Sequence, residues 1–389
     1  MTNMPASTPG GLRYPRGTVI LIGLASAVVV SIGISGIRGI LAPVFLTLIL
    51  TICANPVRTA LLKRGVPGAL ATGSVILTVF ALLAGFTYTI IIAFAQFVSM
   101  LPNYSQQFQQ AGTAITSWLS RIGISHDQVH SVVTGINPAN IAGVVTDALG
   151  SVVSITASLV IVLTMMILMA ADAVYSRTIL NQLSVRNPYL VTALTDYASH
   201  VRRYMVVTTV LGVIQGALNT IALSIMQVPA ALLWGLLSFL CSFIPNIGYF
   251  FAIAPPIVFG FLVGGWPVVI AIIIVYGVIN AVVQSIIQPR VVGHAVSLSQ
   301  TITFFSVLFW AVIIGPIGAI LAIPLTLLTK TFLIDANPEA HWWRPALGPT
   351  NETRTIMKSE SLASKTARKN AKAARTSTDD TDPQRRPTP

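Results

Sequence analysis

The chain has 389 residues, 54% hydrophobic and only 9% charged, with a formal net charge of +12. A soluble globular chain carries about 25% charged residues, so this composition excludes a soluble domain and predicts a polytopic α-helical membrane protein. Charges avoid the tracts 17–37, 39–57, 68–98, 148–171 and 205–289, and such continuous apolar runs fit spanning helices rather than the alternating strands of a barrel.

Residues 1–16 are polar, with Pro5, Pro9, Pro15, Arg13 and Arg16, and read as a disordered N-terminus. Residues 17–98 hold three spans, 17–37, 39–56 and 68–98. Arg58, Lys63 and Arg64 cluster between the second and third. No small-residue cleavage site with a polar flank follows the first apolar run, so it reads as a retained anchor. Segment 99–147 changes character. Gln106, Gln107, Gln109, Gln110 and Arg121 mix with Ile115, Leu119 and Ile122 at helical spacing, which predicts amphipathic helices outside the bilayer core. A fourth span at 148–171 leads into 172–203, where Asp172, Arg177, Arg186, Arg202 and Arg203 predict helices at the membrane surface.

The region 204–334 contains a stretch that occurs twice. Residues Gly212 to Ile221 read GVIQGALNTI, and Gly277 to Ile286 read GVINAVVQSI. Each copy has an amide, a small residue, two apolar residues, a second amide and a hydroxyl in matching places. An apolar chain with a twofold repeat that carries polar residues suggests a transporter core. Spans at 204–226 and 267–288 hold the two copies. Each is followed by an apolar stretch with a central break: Pro245-Asn246-Ile247-Gly248 within 229–264, and Gly315-Pro316-Ile317-Gly318 within 301–334. An arm of about 16 residues covers about 24 Å, short of the ~30 Å hydrocarbon thickness. That favours two re-entrant helical hairpins over four short spans. The layout is then about six full spans plus two hairpins, or eight to ten helices if all count as spans. The transport core becomes an inverted repeat, 204–264 and 267–334.

Orientation follows from Lys and Arg near span ends. The N-terminus, 58–64, 172–203 and the region of Arg290 are basic, and 99–147 is not. Both termini are therefore expected in the cytoplasm and 99–147 outside. The tail, 335–389, carries seven Lys/Arg and one Glu within 354–375 and reads as disordered. Such a segment is drawn to anionic lipid; without aromatic residues in that window to stack on bases, nucleic acid is not an expected partner. His341-Trp342-Trp343-Arg344 reads as an interfacial anchor.

Gln215 and Asn219 are four residues apart and share a helix face; Asn280, Gln284 and Gln288 continue that spacing. An amide in hydrocarbon needs a partner. These five are either a site for a small polar solute or interhelical ties. The tips, with Pro245, Asn246, Gly248, Pro316 and Gly318, would free backbone groups beside that site. Gly248 and Gly318 are expected to permit tight turns through positive φ. Arg290 either attracts an anionic group or is an ordinary cytoplasmic anchor. Gly212/Gly216 and Gly260/Gly264 are spaced GxxxG and read as close helix packing. No Asp, Glu, Lys or Arg sits mid-span. His126 and His130 lack a third metal ligand. Cys53 and Cys241 read as packing residues. No phosphate loop, GxSxG elbow or HExxH pattern appears, so an ATPase or hydrolase is unsupported, and no cofactor or metal is expected.

Several motifs carry a family likeness. Gln288-Pro289-Arg290-Val291-Val292-Gly293 with Ser297-Leu298-Ser299, Phe309-Trp310, Gly315-Pro316-Ile317-Gly318, Ala322-Ile323-Pro324-Leu325 and Ile244-Pro245-Asn246-Ile247-Gly248 resemble the AI-2E family, the autoinducer-2 exporter or PerM-like permeases. The likeness covers about 12–334. His294 departs from the basic or polar residue more usual there. The resemblance implies a prokaryotic inner-membrane permease, homo-oligomeric, exporting or exchanging a small polar solute such as the furanone signal autoinducer-2. A sodium/proton antiporter is the alternative it also implies. A non-transporting membrane scaffold or sensor is the alternative of another class.

Overall fold

A computed structural model of the chain describes residues 16–107, 159–173, 175–288, 298–348 and 351–379, with 109, 110, 113, 143 and 150. Among these residues the protein is helical, without strands. Helix α1 spans Arg16–Gly36, α2 Arg38–Lys63 and α3 Gly68–Met100. Helix α4 spans Leu159–Asp172 and α5 Ser176–Arg186. Helix α6 runs for 38 residues, Pro188–Ile225. Pro188 at its first position and Asn187, whose side-chain oxygen accepts from Leu190 N–H at 3.0 Å, form a standard helix start.

Two of these differ from the sequence expectation. Arg58 and Lys63 belong to α2 rather than a loop; Arg58 Nε donates to Thr72 Oγ1 on α3 at 2.7 Å. Residues 188–203 are the front of α6, so no boundary falls at 203. At 1.5 Å per residue α6 is about 57 Å long, well beyond the hydrocarbon thickness. The helix can therefore hold charges at one end and the amide stretch further in. Arg202 Nε donates to Ile52 carbonyl at 3.3 Å and ties that front section to α2. The histidines His126 and His130, and most of 99–147, lie outside the described residues.

The first hairpin is α7, Ala231–Cys241, a turn, and the start of α8, Gly248–Asn280. Helix α8 is not one rod. Gly265 has φ 63° and ψ −153°, and a methyl group added at Gly260 would run into Ile272 Cδ1. Residues twelve apart in a straight helix are about 18 Å apart, so the chain folds back at Gly265. It thus comprises α8a (248–264) and α8b (266–280). Gly260 and Gly264 leave room for Val268 and Ile272, which is the close packing expected of their spacing. A π-helical segment, Ala281–Ile287, prolongs α8b.

The second hairpin is α9 (Gln300–Ile314), α10 (Pro316–Ile320) and α11 (Ala322–Lys330), with a π-helical end at Thr331–Asp335. Ser299 caps α9, its Oγ accepting from Ile302 N–H at 3.2 Å. Trp310 Nε1 donates across the hairpin to Thr326 Oγ1 at 3.0 Å. Arms of 11 residues in α7 and 15 in α9 are about 17 and 22 Å long.

Residues 335–348, expected as disordered tail, are folded onto the core. A 3-10 helix at Pro338–Trp343 and α12 (Arg344–Leu347) follow the hairpin. Asp335 pairs with Lys330 and Arg344, both at 2.9 Å, and Ser299 N–H donates to Leu347 carbonyl at 2.8 Å. Helix α13, Asn351–Asp379, follows. Its alanines, lysines and arginines are good helix formers, which is why the poverty of large apolar residues did not leave it unstructured.

Two apolar clusters hold the fold. One joins α1 and α2 to the front of α6 and the second hairpin through Ile49, Tyr197, Tyr204, Trp310, Ile313 and Leu325. The other joins the end of α3, the rear of α6 and the first hairpin through Phe97, Leu223, Trp234, Phe259, Ile272 and Tyr276. Phe97, Trp234 and Phe259 form a triad with centroids 5.0–5.6 Å apart.

Candidate functional site

The polar residues lie between the two clusters. Helix α6 buries one continuous stripe: Tyr197, Val201, Tyr204, Thr208, Leu211, Gln215, Asn219 and Leu223. The three- and four-residue steps are those of one helix face. Against it pack α7 and α8b. Gly216 and Gly235 meet where α6 crosses α7; a Cβ on either would lie 2.7 Å from the other's carbonyl oxygen. Gly212 makes room for Ser242 and Phe239. These glycines serve helix approach, as their spacing suggested.

The register of α6 against α8b is antiparallel. Leu223 shares a cluster with Ile272 and Tyr276, while Thr208 and Gln215 share a crevice with Gln284 and Gln288. The two amide-bearing copies therefore run in opposite directions. That crevice is lined by Thr208, Leu211, Gly212 and Gln215 from α6, Ser242 from the first tip, and Val283, Gln284 and Gln288. Its volume is ≈10 Å³, about enough for one water.

The amides are deeply buried and, like other buried polar atoms such as Tyr197 Oη, lack hydrogen-bond partners among the described residues. Gln215 and Asn219 are 3% and 1% exposed. Gln215 Oε1, both amide atoms of Asn219 and Asn280 Oδ1 have no hydrogen-bond partner among the described residues. Buried amides are ordinarily paired, and each unpaired group costs about 1–3 kcal/mol. Interhelical ties would show amide-to-amide bonds. Among the described residues these atoms show none, and of the three side chains only Gln215 lines the crevice.

The sequence placed five amides on two matching faces. The structure brings Gln215, Gln284 and Gln288 together, while Asn219 and Asn280 do not line the same crevice. In the second copy the chain is π-wound over 281–287. Such π segments are frequent where a helix serves a function.

The tips are only partly at the site. Ser242, at the start of the first turn, lines the crevice, but Pro245, Asn246, Pro316 and Gly318 do not. Asn246 and Pro316 are exposed, and Gly248 and Gly318 are buried. The tips share the first apolar cluster, through Phe243 on one side and Ile314 and Ala319 on the other. The expected positive φ at Gly248 and Gly318 is not found. Asn246 (φ 65°) and Gly315 (φ 88°) take that conformation. Gly248 and Gly318 are needed for another reason. A Cβ there would collide with the carbonyl groups of Cys241 and Trp310 in the opposing arms. Arg290 and Pro289 lie outside the described residues. Among the described residues, no charged side chain is buried and no cluster of metal-ligating side chains occurs.

Thr208, Ser242, Tyr204 and Tyr197 were missed from the sequence. Thr208, Tyr204 and Tyr197 had a signal: they extend the Gln215/Asn219 stripe toward the N-terminus in unbroken three- and four-residue steps. Ser242 had none, because only the fold of the hairpin brings it to α6.

The comparisons with known proteins agree with this architecture. A family model described as "AI-2E family transporter" matches residues 19–337. The chain is 27% identical over 318 residues to the putative transport protein YhhT of Escherichia coli strain K12, covering 82% of this chain and 90% of that one. It is 27% identical over 321 residues to the AI-2 transport protein TqsA of the same strain, covering 82% and 92%. A putative transport protein of Haemophilus influenzae is 26% identical over 338 residues, covering 85% and 97%.

Proposed function

Because the chain belongs to the AI-2E family of transporters, a family of multi-pass membrane transport proteins, we propose that it moves a small polar solute past the amides between α6 and α8b. The observation that carries this reading is the set of buried, unpartnered amide atoms on Gln215 and Asn219 beside the crevice shared with Gln284, Gln288 and Ser242. A protein held together by apolar packing gains nothing from leaving such groups unpaired. A site that hydrogen-bonds a hydroxylated solute needs them. With room for about one water, the site must open before a solute enters, and the hairpins are the elements placed to do so.

The solute we favour is a furanone of the autoinducer-2 kind. One relative is named an AI-2 transport protein, and a small molecule rich in hydroxyls matches amide donors and acceptors. Export is the favoured direction. The short arms support hairpins that enter the membrane without crossing it. The opposite running of the two amide helices supports an inverted repeat. The basic residues Arg58, Lys63, Arg64 and Arg186 support cytoplasmic termini in a prokaryotic inner membrane. A homo-oligomer would cover some of the apolar surface that α1 exposes. A cation/proton antiporter is less favoured, because no buried carboxylate exists among the described residues to carry the proton. A scaffold has no use for the amides.

Reconstituted vesicles test the reading. Uptake or release of the furanone above protein-free vesicles is expected, with transport impaired when Gln215 or Gln284 is replaced. Flux of sodium against a pH gradient without furanone movement would favour the antiporter. No flux of either would favour the scaffold.

A further inference from the structure

Helix α13 is outside the family match, which ends at residue 337, and the transport reading does not use it. Its sequence has an internal order that composition hides. The seven basic residues of 354–375 are Arg354, Lys358, Lys365, Arg368, Lys369, Lys372 and Arg375. At 100° per residue these positions fall within one sector of about 120°. Ile356, Ala363, Ala367, Ala371 and Ala374 occupy the opposite side, with Glu360 among them. The basic stripe runs about 32 Å along the helix. From Thr355 to Ala367 every residue of α13 is exposed.

The helix follows a segment fixed to the membrane core through the Leu347–Ser299 hydrogen bond. Just before it, Trp342 and Trp343 are 70% and 50% exposed, with rings 4.6 Å apart. Exposed tryptophans next to a spanning core mark the level of the lipid headgroups. The stripe begins eleven residues after Trp343, at Arg354.

We propose that α13 lies on the cytoplasmic membrane surface with its basic stripe on anionic lipid headgroups. A leaflet of anionic lipid attracts basic residues strongly enough that each one near the surface tightens binding about fivefold. The face opposite the stripe is mostly alanine, too weakly apolar to drive insertion, so the contact is electrostatic and shallow. Nucleic acid is disfavoured because α13 has no aromatic residue to stack on a base.

The test uses the full-length protein in lipid nanodiscs of phosphatidylcholine, with or without phosphatidylglycerol, reading amide hydrogen exchange over 351–379. Exchange about tenfold slower with phosphatidylglycerol is expected, and the protection should vanish near 0.5 M salt, where screening acts within about 4–5 Å. A variant carrying Ala363→Lys, Lys365→Ala, Arg368→Ala, Ala371→Arg, Lys372→Ala and Ala374→Lys keeps the composition and net charge but scatters the stripe. It should lose most of the protection. Equal exchange in both lipids, protection that survives the scattering, or protection that appears only when DNA is added would overturn the proposal. None of these outcomes depends on which solute the core moves.

Discussion

Replacing Asn219 by Leu separates a solute site from a structural tie. Asn219 is 1% exposed, and neither its oxygen nor its nitrogen has a partner among the described residues. Leu has the same branching and the same number of heavy atoms. Removing two unpaired buried groups relieves about 1–3 kcal/mol for each. The bulkier methyls of Leu return about 1 kcal/mol as overpacking. If an ordered water already serves the amide, the relief shrinks toward zero. The net expectation is a melting temperature unchanged or raised. Transport should fall at least about tenfold, the loss of a single ~1.4 kcal/mol interaction with the solute. The assay pairs furanone flux in vesicles with thermal unfolding of the same preparation in detergent. A tie predicts the reverse pattern, with lower melting temperature and near-normal flux. Normal flux in the variant would refute the reasoning whatever happens to stability.

Four further expectations follow from particular contacts. Gly248→Ala and Gly318→Ala force a Cβ onto a backbone carbonyl of the opposing arm, and each should cost about 3 kcal/mol or more, lowering the melting temperature and the flux together; an unchanged melting temperature would show that the arms can separate freely. Asp335→Ala breaks two partly exposed ion pairs and should cost roughly 1 kcal/mol, measurable as a small drop in melting temperature with flux retained. Ending the chain after Gly348 should leave folding and transport intact, whereas ending it after Trp343 should reduce detergent-stable protein, because Arg344 and Leu347 hold Asp335 and Ser299; equal behaviour of the two truncations would mean that this docking is dispensable. Cysteines introduced within 99–147 should label from outside in intact cells, and cysteines at 60–64 should not; labelling of 60–64 would reverse the orientation.

Much of this architecture was legible because burial in a bilayer imposes a simple rule. A spanning helix must be apolar along its length, so charge-free tracts located α1, α2, α3, α6 and α8b without any tertiary information. The amides at 215 and 219 stood out for the same reason: a polar side chain in such a tract has to face protein or water. The close-packing glycines followed from spacing. Helix breaks were read at Pro245–Gly248 and Gly315–Gly318, and the helices are interrupted at both, by a turn in the first and at Gly315 in the second.

What the tertiary structure decided is what depends on groups distant in sequence. The fold-back at Gly265 puts Gly260 against Ile272, which no local pattern distinguishes from a long helix. Which amides reach the crevice depends on how α8b meets α6: Gln284 and Gln288 line it and Asn280 does not. Ser242 joins the site because α7 crosses α6 at Gly216 and Gly235. The glycines of the tips are required by an opposing backbone and not by their own φ, a distinction invisible until both arms are in place. The folded stretch 335–348 escaped the sequence reading because Asp335, Arg344 and Leu347 are held by one another and by Ser299. Composition reports how much apolar surface a segment offers; it does not report which charges and carbonyls the rest of the fold will bring within 3 Å of it.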